Sequence, residues 1–506
     1  MGQISISNGQ TTGLNGQLAA VQTLDIDDKP LGEGGFGAVY RCRAVDGLPL
    51  AIPQVVKLFR DNGYGSAAKG INTIQRLQAR LSDENAKQQT NGSDLITAYP
   101  ALLGAPQFSF EGLYQGRSVS GYCANNLKEL GFEEFKDILD DQPAGLLLSY
   151  QRLPADRKLL LAYQLASAFR LLREKLYIHA DFKAGALFVN LTTTQCAIID
   201  YDSGAVLDNE HDRPSTFGEM QDWLAPEIMR QLADPANQGR RIQVDFYSDM
   251  WSVAVGIYYL LTTVHPLFFL TEISSRSVQA YSANSQWPDA SSATPYFNVA
   301  QAGVYAQVKS YYDTQIPPPI KDKLEAAINK GFSRPTMRPS YAQWQTVLGA
   351  IQVPPKVDYF AVTPQFTVKG QPVTLTWAVQ SAAEVLIGQS VYPAAGSLKL
   401  MADQTGVYQL TATNAFGTTT EMTLPVQVVE VPEIKLLIPS PAFSISVSPS
   451  PLFTRLPTLN LAVPFDFDRL IGLQEESMPA LPATQVVRRT LTSRLRELAR
   501  NTLKQF

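Results

Sequence analysis

The sequence has no excess of charge of either sign and contains few cysteines and histidines. Its 42 basic and 46 acidic residues leave a formal net charge of −4 over 506 residues. Such a chain has no overall field that would attract nucleic acid or a membrane surface, so we expect neither as a partner. The three cysteines and three histidines fall at no disulfide or metal-site spacing, which favours a reducing compartment and predicts a cytoplasmic protein.

Long apolar runs are also missing. The longest nearly uncharged run, Trp251 to Val264, is too short to cross a bilayer and predicts a buried helix. Residues 1–22 are rich in Gln, Gly, Ser and Asn, contain no apolar signal-peptide core, and are expected to be flexible. With 45% hydrophobic residues the chain is globular, and its length predicts two or three domains.

A glycine-rich stretch lies near the start of the first folded segment. Gly32, Gly34, Gly35 and Gly37 precede Val39 in L-G-E-G-G-F-G-A-V-Y, which fits the pattern G-x-G-x-x-G-x-V. A dinucleotide-binding fold would follow this pattern with a helix, whereas here a strand-like alternation follows. Glycines leave room for the backbone to approach phosphate groups, so the stretch indicates a phosphate-binding hairpin.

Charged residues with complementary chemistry follow this hairpin. Lys57 ends the apolar run V-V-K, and Asp181 and Lys183 share the stretch H-A-D-F-K. Asp200 and Asp202 come directly after the apolar strand C-A-I-I. Phosphoryl transfer needs one carboxylate to take a hydroxyl proton and another to hold Mg²⁺ against the phosphates. Asp181 could serve as the first, and Asp200 or Asp202 as the second.

These motifs resemble, in order, those of protein kinases, and in particular of a divergent bacterial branch of eukaryotic-like Ser/Thr kinases. Three more complete the set: A-P-E with Glu227, D-M-W-S with Asp249, and R-P-S with Arg338. The resemblance implies a bilobal α+β protein-kinase fold over residues 23–349, with an N-terminal lobe at 23–122 and a C-terminal lobe at 127–349. It also implies ATP and Mg²⁺ as cofactors and protein substrates that accept phosphate.

The resemblance assigns a role to each matching residue. Asp181 would be the base, Lys183 would stabilise the γ-phosphate, and Lys57 would bind the α- and β-phosphates beneath the glycine-rich hairpin. Tyr122 and Cys123 would lie at the adenine site. Asp200 and Asp202 would hold the metal, Asp249 would brace the catalytic loop, and Glu227 and Arg338 would form a buried ion pair.

Two departures from the family pattern leave another function open. Ala186 stands where the family has the asparagine that binds a second Mg²⁺. No glutamate stands at the usual distance from Lys57, where the sequence offers Gln75 or Gln78, and Glu84 further on. The alternative is a pseudokinase, a scaffold that binds nucleotide or partners without phosphoryl transfer. Whether Asp200 or Asp202 is the main metal ligand also stays open, with Asp200 favoured because the strand leads directly into it.

A change of apolar period separates the rest of the chain from the kinase-like part. Residues 350–356 read as a linker, and 357–431 alternate apolar and polar residues in short runs, which predicts a β-sandwich. With the pattern D-x-x-G-x-Y ending at Tyr408, that segment resembles bacterial immunoglobulin-like domains. Residues 432–483 read as a proline-rich linker and 484–506 as a basic amphipathic helix. The immunoglobulin-like segment or the C-terminal tail could dock a partner. Recruiting partners is then a further candidate for the main function.

Overall fold

The structure is a computed structural model that describes residues 2–10, 21–60, 67–217, 222–237, 241–290, 296–350, 352–382, 384–414 and 416–431. The predicted proline-rich linker and C-terminal helix, 432–506, lie outside these residues. The chain forms two compact units. Of the described residues, the first comprises those up to Phe360, Trp377–Gly396 and Gln409–Met422; the second comprises Ala361–Thr376, Ser397–Tyr408 and 423–431.

A twisted sheet makes up most of the N-terminal lobe. The elements there are β1 (Gly2–Gln10), β2 (Thr23–Ile26), β3 (Gly32–Gly34), β4 (Gly37–Val45), β5 (Leu48–Phe59), α1 (Ala67–Thr90), α2 (Leu95–Ala98), β6 (Phe108–Tyr114) and β7 (Arg117–Asn125). The seven strands run in the order β2-β1-β6-β7-β5-β4-β3. Because β2 pairs with β4 as well as with β1, the sheet closes on itself and encloses its own apolar side chains.

The first strand corrects the expectation that residues 1–22 are flexible throughout. Gly2–Gln10 pairs antiparallel with both β2 and β6. Ile4 is fully buried in the core of the sheet and Ile6 packs against that core. Two apolar side chains with period two are enough to anchor a strand once a sheet edge is available, although the polar residues around them hide the signal in the sequence.

Helices dominate the C-terminal lobe. Its elements are β8 (Glu133–Glu134), α3 (Phe135–Asp140), α4 (Leu146–Gln151), α5 (Ala155–Glu174), β9 (Tyr177–Ile178), β10 (Leu187–Asn190), β11 (Gln195–Ile198), β12 (Ala205–Val206), β13 (Ser215–Phe217), α6 (Pro226–Ala233), β14 (Arg241–Gln243), α7 (Phe246–Thr262), α8 (Ser275–Asn284), α9 (Ala302–Gln315), α10 (Pro318–Glu325), α11 (Gly331–Ser333) and α12 (Tyr341–Ala350). Short 3₁₀ turns at Ala184–Ala186 and Tyr201–Ser203 flank β10 and β11.

Helix α7 lies at the centre of this lobe. Asp245 caps its N-terminus by accepting from the backbone N–H groups of Tyr247 and Ser248, and Ser248 completes a capping box. Nearly every residue of the helix is buried, which confirms the helix predicted from the apolar run. A helix that is apolar all round must lie inside the lobe, and here it supports the loops of the site from below. Among the described residues, no helix combines the length and apolarity needed to span a membrane.

In the described part of residues 356–429, all the regular elements are strands. They are β15 (Lys356–Thr363), β16 (Phe366–Val368), β17 (Gln371–Gln380), β18 (Glu384–Ile387), β19 (Ser390–Tyr392), β20 (Ala395–Ala402), β21 (Gln409–Asn414), β22 (Gly417–Met422) and β23 (Gln427–Val429). In the first unit, a four-stranded sheet has the order β19-β18-β21-β22. In the second unit, β16 and β23 pair in parallel. The region is thus rich in β-strands, and its assignment as an immunoglobulin-like sandwich stays a prediction.

Candidate active site

The glycine-rich hairpin joins β3 to β4. Side chains added at Gly32, Gly34 and Gly35 would meet no atom within 4 Å, so the backbone here faces open space. Gly37 is different, because a Cβ there would lie 2.2 Å from the carbonyl oxygen of Leu58. One glycine therefore permits the close pairing of β4 with β5, and the other three leave the hairpin bare enough for a phosphate group to approach.

Lys57 lies on β5, opposite Val39 on β4 and Tyr122 on β7. Its ammonium nitrogen lies 2.7 Å from Oδ1 of Asp202 and 3.1 Å from Oδ1 of Asp200. Burial by itself would lower the pKa of Lys57, but the two carboxylates outweigh burial and hold that pKa well above its usual value. The lysine is therefore a permanent cation in a largely enclosed place.

The two aspartates differ in their surroundings. Burial would raise the pKa of Asp200, but the charge of Lys57 outweighs it and holds that pKa below its usual value. The side chain of Asp202 is only 2% exposed, against 31% for Asp200. Asp202 also accepts a 3.1 Å hydrogen bond from the hydroxyl of Tyr122. Asp200 is thus an ion open to the cleft, whereas Asp202 is enclosed by its partners.

Backbone conformation explains why these carboxylates converge. Asp200 has φ 63° and ψ 42°, the left-handed region, which turns the chain abruptly from β11 into the 3₁₀ turn. The carbonyl oxygen of Tyr201 accepts from the hydroxyl of Tyr177 at 2.6 Å, which fixes that turn. With the turn held there, the carboxylates at 200 and 202 both reach Lys57. A non-glycine residue in the left-handed region marks a place where surrounding contacts determine the backbone.

Asp249 holds the loop that carries Asp181. Its carboxylate accepts from the backbone N–H groups of His179 at 2.6 Å and Ala180 at 2.9 Å. Ala180 has φ 66°, so these bonds support a backbone conformation that an alanine rarely adopts. Burial raises the pKa of Asp249 to about 7, although the two N–H donors favour its charged form. A buried side chain at the start of α7 therefore fixes the geometry of the loop.

Asp181 and Lys183 project from this loop toward the cleft. The ammonium of Lys183 donates to Oδ2 of Asp181 at 2.8 Å, and the two side chains are 33% and 26% exposed respectively. Both side chains are in reach of solvent. The carboxylate of Asp181 can therefore accept a proton from a bound group, while the ammonium of Lys183 can face a negative charge on the same or a neighbouring group. Ala186, at the end of the same stretch, is fully buried and offers no side-chain oxygen.

Arg338 fastens the segment that follows. Its guanidinium makes two 2.6 Å bonds to the carboxylate of Glu227 and also donates to the carbonyl oxygens of Tyr247 and Gly331. The arginine side chain is fully buried and lies over the ring of Trp251 at 5.2 Å. Four donated bonds satisfy nearly the whole guanidinium, which makes this a fully partnered buried cation.

Helix α1 supplies no carboxylate to Lys57 within the described residues. Glu84 instead accepts from the ammonium of Lys175 at 2.6 Å, and the side chain of Gln78 donates to the carbonyl oxygen of Pro106. Glu84 is the only glutamate of the helix. Its place in the last third of α1 puts it over the C-terminal end of α5, which is why it cannot serve as the lysine's partner.

The assignment of Cys123 to the adenine site stays a prediction, and its side chain takes no part in the charged cluster. Its side chain is buried in the core of the N-terminal sheet with Val56 and Phe110, and its carbonyl oxygen accepts from the backbone N–H of Gln107. Side chains alternate along β7, so Cys123 faces the sheet core and Tyr122 faces the cleft. Only Tyr122 of the two reaches the charged cluster.

The donor set fits Mg²⁺ in one respect. Within the described part of the chain, no three His, Cys, Asp or Glu side chains form a metal-binding group. Mg²⁺ in phosphate-transferring sites, however, is usually held by one or two carboxylates together with phosphate oxygens and water. Asp200, partly exposed beside Lys57, offers carboxylate oxygens of that kind. The residues present therefore suit a metal bound jointly with a nucleotide.

Comparison with known proteins bears on the same region. Residues 144–329 match the family model of the protein kinase domain. This match supports a protein kinase domain in that part of the chain. The matched residues include the loop with Asp181, the turn with Asp200 and Asp202, and helix α7, whereas the glycine-rich hairpin and Lys57 precede them.

Curated serine/threonine kinases are similar to the kinase domain. Myosin light chain kinase 3 of Pongo abelii is 27% identical over 259 residues, which cover 51% of this chain and 26% of the relative. The serine/threonine-protein kinase sid1 of Schizosaccharomyces pombe is 23% identical over 252 residues, 48% of this chain and 44% of the relative. The chain thus spans less than half the length of these relatives, and the matches support a protein kinase function at the level of the domain.

Among solved structures, the twitchin kinase region from C. elegans is 15% identical with a TM-score of 0.41, covering 80% of this chain and 73% of the other. A twitchin kinase fragment gives a TM-score of 0.37 at 14% identity, covering 81% and 94%.

The structure brings most of the sequence-predicted side chains of the kinase domain and its N-terminal hairpin to one cleft. Lys57, Tyr122, Asp200 and Asp202 form one connected cluster, and Asp181 with Lys183 forms another. Sequence reasoning missed that Asp202 accepts from both Lys57 and the Tyr122 hydroxyl. Two signals were available in the sequence. A second aspartate follows Asp200 by two residues, and the only glutamate of α1, Glu84, lies far from the position expected of a partner for Lys57.

Proposed function

We propose that this chain is an ATP-dependent protein kinase that transfers the γ-phosphate to serine or threonine hydroxyls of proteins. The observation that carries the proposal is the pairing of Asp181 with Lys183 on a loop fixed by Asp249. A base and a cation held in this way match what transfer to a hydroxyl requires. The kinase-domain match of residues 144–329 supports the same reaction.

Each residue has one task in this mechanism. Asp181 orients the acceptor hydroxyl and takes its proton, while Lys183 faces the charge that develops on the transferred group. Lys57 binds phosphate oxygens beneath Gly34 and Gly35 of the hairpin. Mg²⁺, when bound with ATP, would neutralise charge across the β- and γ-phosphates.

Asp200 and Asp202 are the carboxylates proposed to hold that metal. Both lie at Lys57, and Asp200 is the more exposed of the two. Ala186 cannot add the oxygen that an asparagine would supply there, because its side chain is a methyl group. Mg²⁺ completes its octahedron readily with water, so a site with fewer protein ligands than usual is chemically acceptable.

We further propose bacterial signalling in the cytoplasm as the setting. The immunoglobulin-like reading of 357–431 and the tail beyond it would then serve to dock protein partners. The alternating strands β15 to β23 support the β-rich half of that statement. The domain boundaries given from the sequence, 23–349 for the kinase part and 350–356 for the linker, remain part of this proposal.

The second candidate function is a pseudokinase scaffold. Two observations favour it: Ala186 has no ligand oxygen, and Glu84 is bound to Lys175 rather than to Lys57. Such a scaffold would bind nucleotide or partners and transfer nothing. It predicts ATP binding with no phosphate on any acceptor, which separates it from the enzyme.

Asp181→Asn tests the enzyme directly. We expect phosphate transfer from labelled ATP, to the chain itself or to a generic protein acceptor, to fall about 10²–10⁴-fold because the base is lost. ATP affinity and the unfolding temperature should stay near those of the unchanged chain. Asp313→Asn is the matched control, since this aspartate forms an exposed pair with Lys309 on α9.

Two results would contradict the enzyme. Equal transfer by the Asp181→Asn variant would show that Asp181 is not the base. Binding of Mg²⁺-ATP by the unchanged chain without any transfer would establish the pseudokinase instead.

A further inference from the structure

The anchor of Lys57 raises a separate question, because a lysine that binds phosphates must be held in position. Removing its usual partner would leave a long flexible side chain whose ordering costs conformational entropy. In this chain α1 provides no carboxylate for it in the described residues, and Glu84 is committed to Lys175 at 2.6 Å. Some other group must therefore fix the ammonium.

Asp202 meets this need better than Asp200. Its oxygen lies closer to the ammonium, 2.7 Å against 3.1 Å. The same oxygen accepts from the Tyr122 hydroxyl, so it is fixed from two sides. With a side chain 2% exposed, Asp202 has little access to solvent that could compete for it.

The support beneath Asp202 is equally firm. The 3₁₀ turn Tyr201–Ser203 that carries it is bonded at both ends, by Tyr177 to the carbonyl of residue 201 and by the Thr216 hydroxyl to the carbonyl of residue 203. Tyr201 itself is fully buried against His179, with ring centroids 5.7 Å apart. The carboxylate therefore stands on a turn that packing and hydrogen bonds hold in place.

Building on the proposed function, but narrowing its metal site from two carboxylates to one, we propose that Asp202, held by the Tyr122 hydroxyl, is the positioning residue for Lys57. It replaces a glutamate of α1 and leaves Asp200 for the metal. The two carboxylates then have separate duties. When Asp200 turns to a metal ion, Lys57 keeps a buried partner, so the lysine is never left as an unpaired enclosed charge. The partner of the lysine is then no longer a side chain of α1.

Separating the two duties requires a measurement that does not involve phosphate transfer. We would titrate ATP into the full-length protein by calorimetry, once in EDTA and once in excess Mg²⁺. The ATP affinity in EDTA reports the contact of Lys57 with phosphate. The increase in ATP affinity on adding Mg²⁺ reports the metal site. The variants are Asp202→Asn, Asp200→Asn and Tyr122→Phe, with Asp208→Asn as the matched control at an exposed pair with Arg76.

We expect Asp202→Asn to weaken ATP binding in EDTA about tenfold, as for loss of one charge-assisted contact, while keeping the gain on adding Mg²⁺. Asp200→Asn should do the reverse: near-normal binding in EDTA with little gain from Mg²⁺. Tyr122→Phe should weaken EDTA binding about threefold alone and have no further effect in the Asp202→Asn background, because its hydroxyl acts through that carboxylate.

The anchor is overturned if Asp202→Asn binds ATP normally in EDTA, or if it loses the gain from Mg²⁺ as Asp200→Asn does. Additive effects of the changes at 122 and 202 would overturn it as well. Should Asp202→Asn fail to fold, the single change at Tyr122 still decides, because unchanged EDTA binding there would contradict the role of its hydroxyl.

The outcome also distinguishes this inference from the proposed function. If the unchanged chain transfers no phosphate but Asp202→Asn still weakens binding in EDTA, the anchor stands and only the enzyme fails. If transfer occurs and both aspartate variants behave alike, the enzyme stands and the anchor fails. A chain that binds no ATP at all would remove both.

Discussion

Two enclosed cations near the candidate site, Arg338 and Lys57, are held in different ways. Arg338 is fully buried and bound to one carboxylate through two bonds and to two backbone carbonyls. Lys57 has two carboxylates, one of them 31% exposed, and its ammonium lies 6.0 Å from the centroid of the Tyr122 ring. Arg338 therefore has one matching carboxylate and nearly all of its donors satisfied. Lys57 has one more carboxylate than its single charge requires.

This difference follows from what each cation must do. A guanidinium that serves only structure gains from complete pairing, because every unsatisfied donor in the interior costs free energy. A lysine that meets a phosphate, as we propose for Lys57, needs a partner that keeps it in place and a second, more exposed carboxylate that can be released. The comparison predicts large losses of stability on the Arg338 side and small ones on the Lys57 side.

The largest expected effect comes from Arg338→Met. This change leaves Glu227 and two carbonyl oxygens without their donor, so we expect the free energy of unfolding to fall by about 3–5 kcal/mol. Urea unfolding followed by circular dichroism measures it. Lys136→Met is the control, since its pair with Asp140 is exposed and should contribute less than about 1 kcal/mol. A loss at Arg338 no larger than the control would remove the basis of the comparison.

Asp249→Asn should have the next largest effect. An amide can accept from only one of the two N–H groups of His179 and Ala180 without presenting its own donors to them. We expect a loss of about 1–3 kcal/mol in unfolding free energy. Phosphate transfer should fall as well, because the loop that carries Asp181 is no longer fixed. Transfer at the normal rate in a destabilised variant would mean that the loop holds its shape without this brace.

A dependence of stability on pH should accompany Asp249. Its pKa is raised from 3.8 to about 7 in the folded state, mainly by burial. Between these values the folded chain binds the proton more tightly than the unfolded chain, so stability falls as pH rises from about 4 to 7. We expect this group to contribute a decline on the order of 4 kcal/mol over that range, which the Asn variant lacks. Parallel pH profiles of the two proteins would contradict the assignment.

The contacts of Arg338 and Asp249 could be predicted from the sequence better than the partner of Lys57. The partners Glu227 and Arg338 lie in motifs, and Asp249 lies in another, so residue identity was enough to name these contacts. The partner of Lys57 depended on a left-handed residue at Asp200 and on the exact end of β11, which no local pattern reveals. Strand β1 was missed for a related reason, since its anchoring by Ile4 needs a sheet edge that only the folded chain provides.

Tyr122→Phe carries the smallest expected effect and tests the Lys57 side most finely. The change removes one neutral donor and no volume, while Asp202 keeps its 2.7 Å bond to the lysine. We expect unfolding free energy to fall by only about 0.5–1.5 kcal/mol, the usual net worth of one hydrogen bond. Tyr408→Phe is a matched control, because no hydrogen bond of the Tyr408 hydroxyl is part of the cluster at Lys57.

A loss at Tyr122 as large as that at Arg338 would show that the lysine side is also a fully coupled structural unit. Lys57 would then be locked rather than held with a carboxylate in reserve. In the Tyr122→Phe variant Lys57 still neutralises the enclosed charge of Asp202. If that ion pair is sufficient without the hydroxyl, only a small loss of unfolding free energy is expected. The size of this single change therefore decides whether the hydroxyl merely orients the carboxylate or is needed to keep it buried.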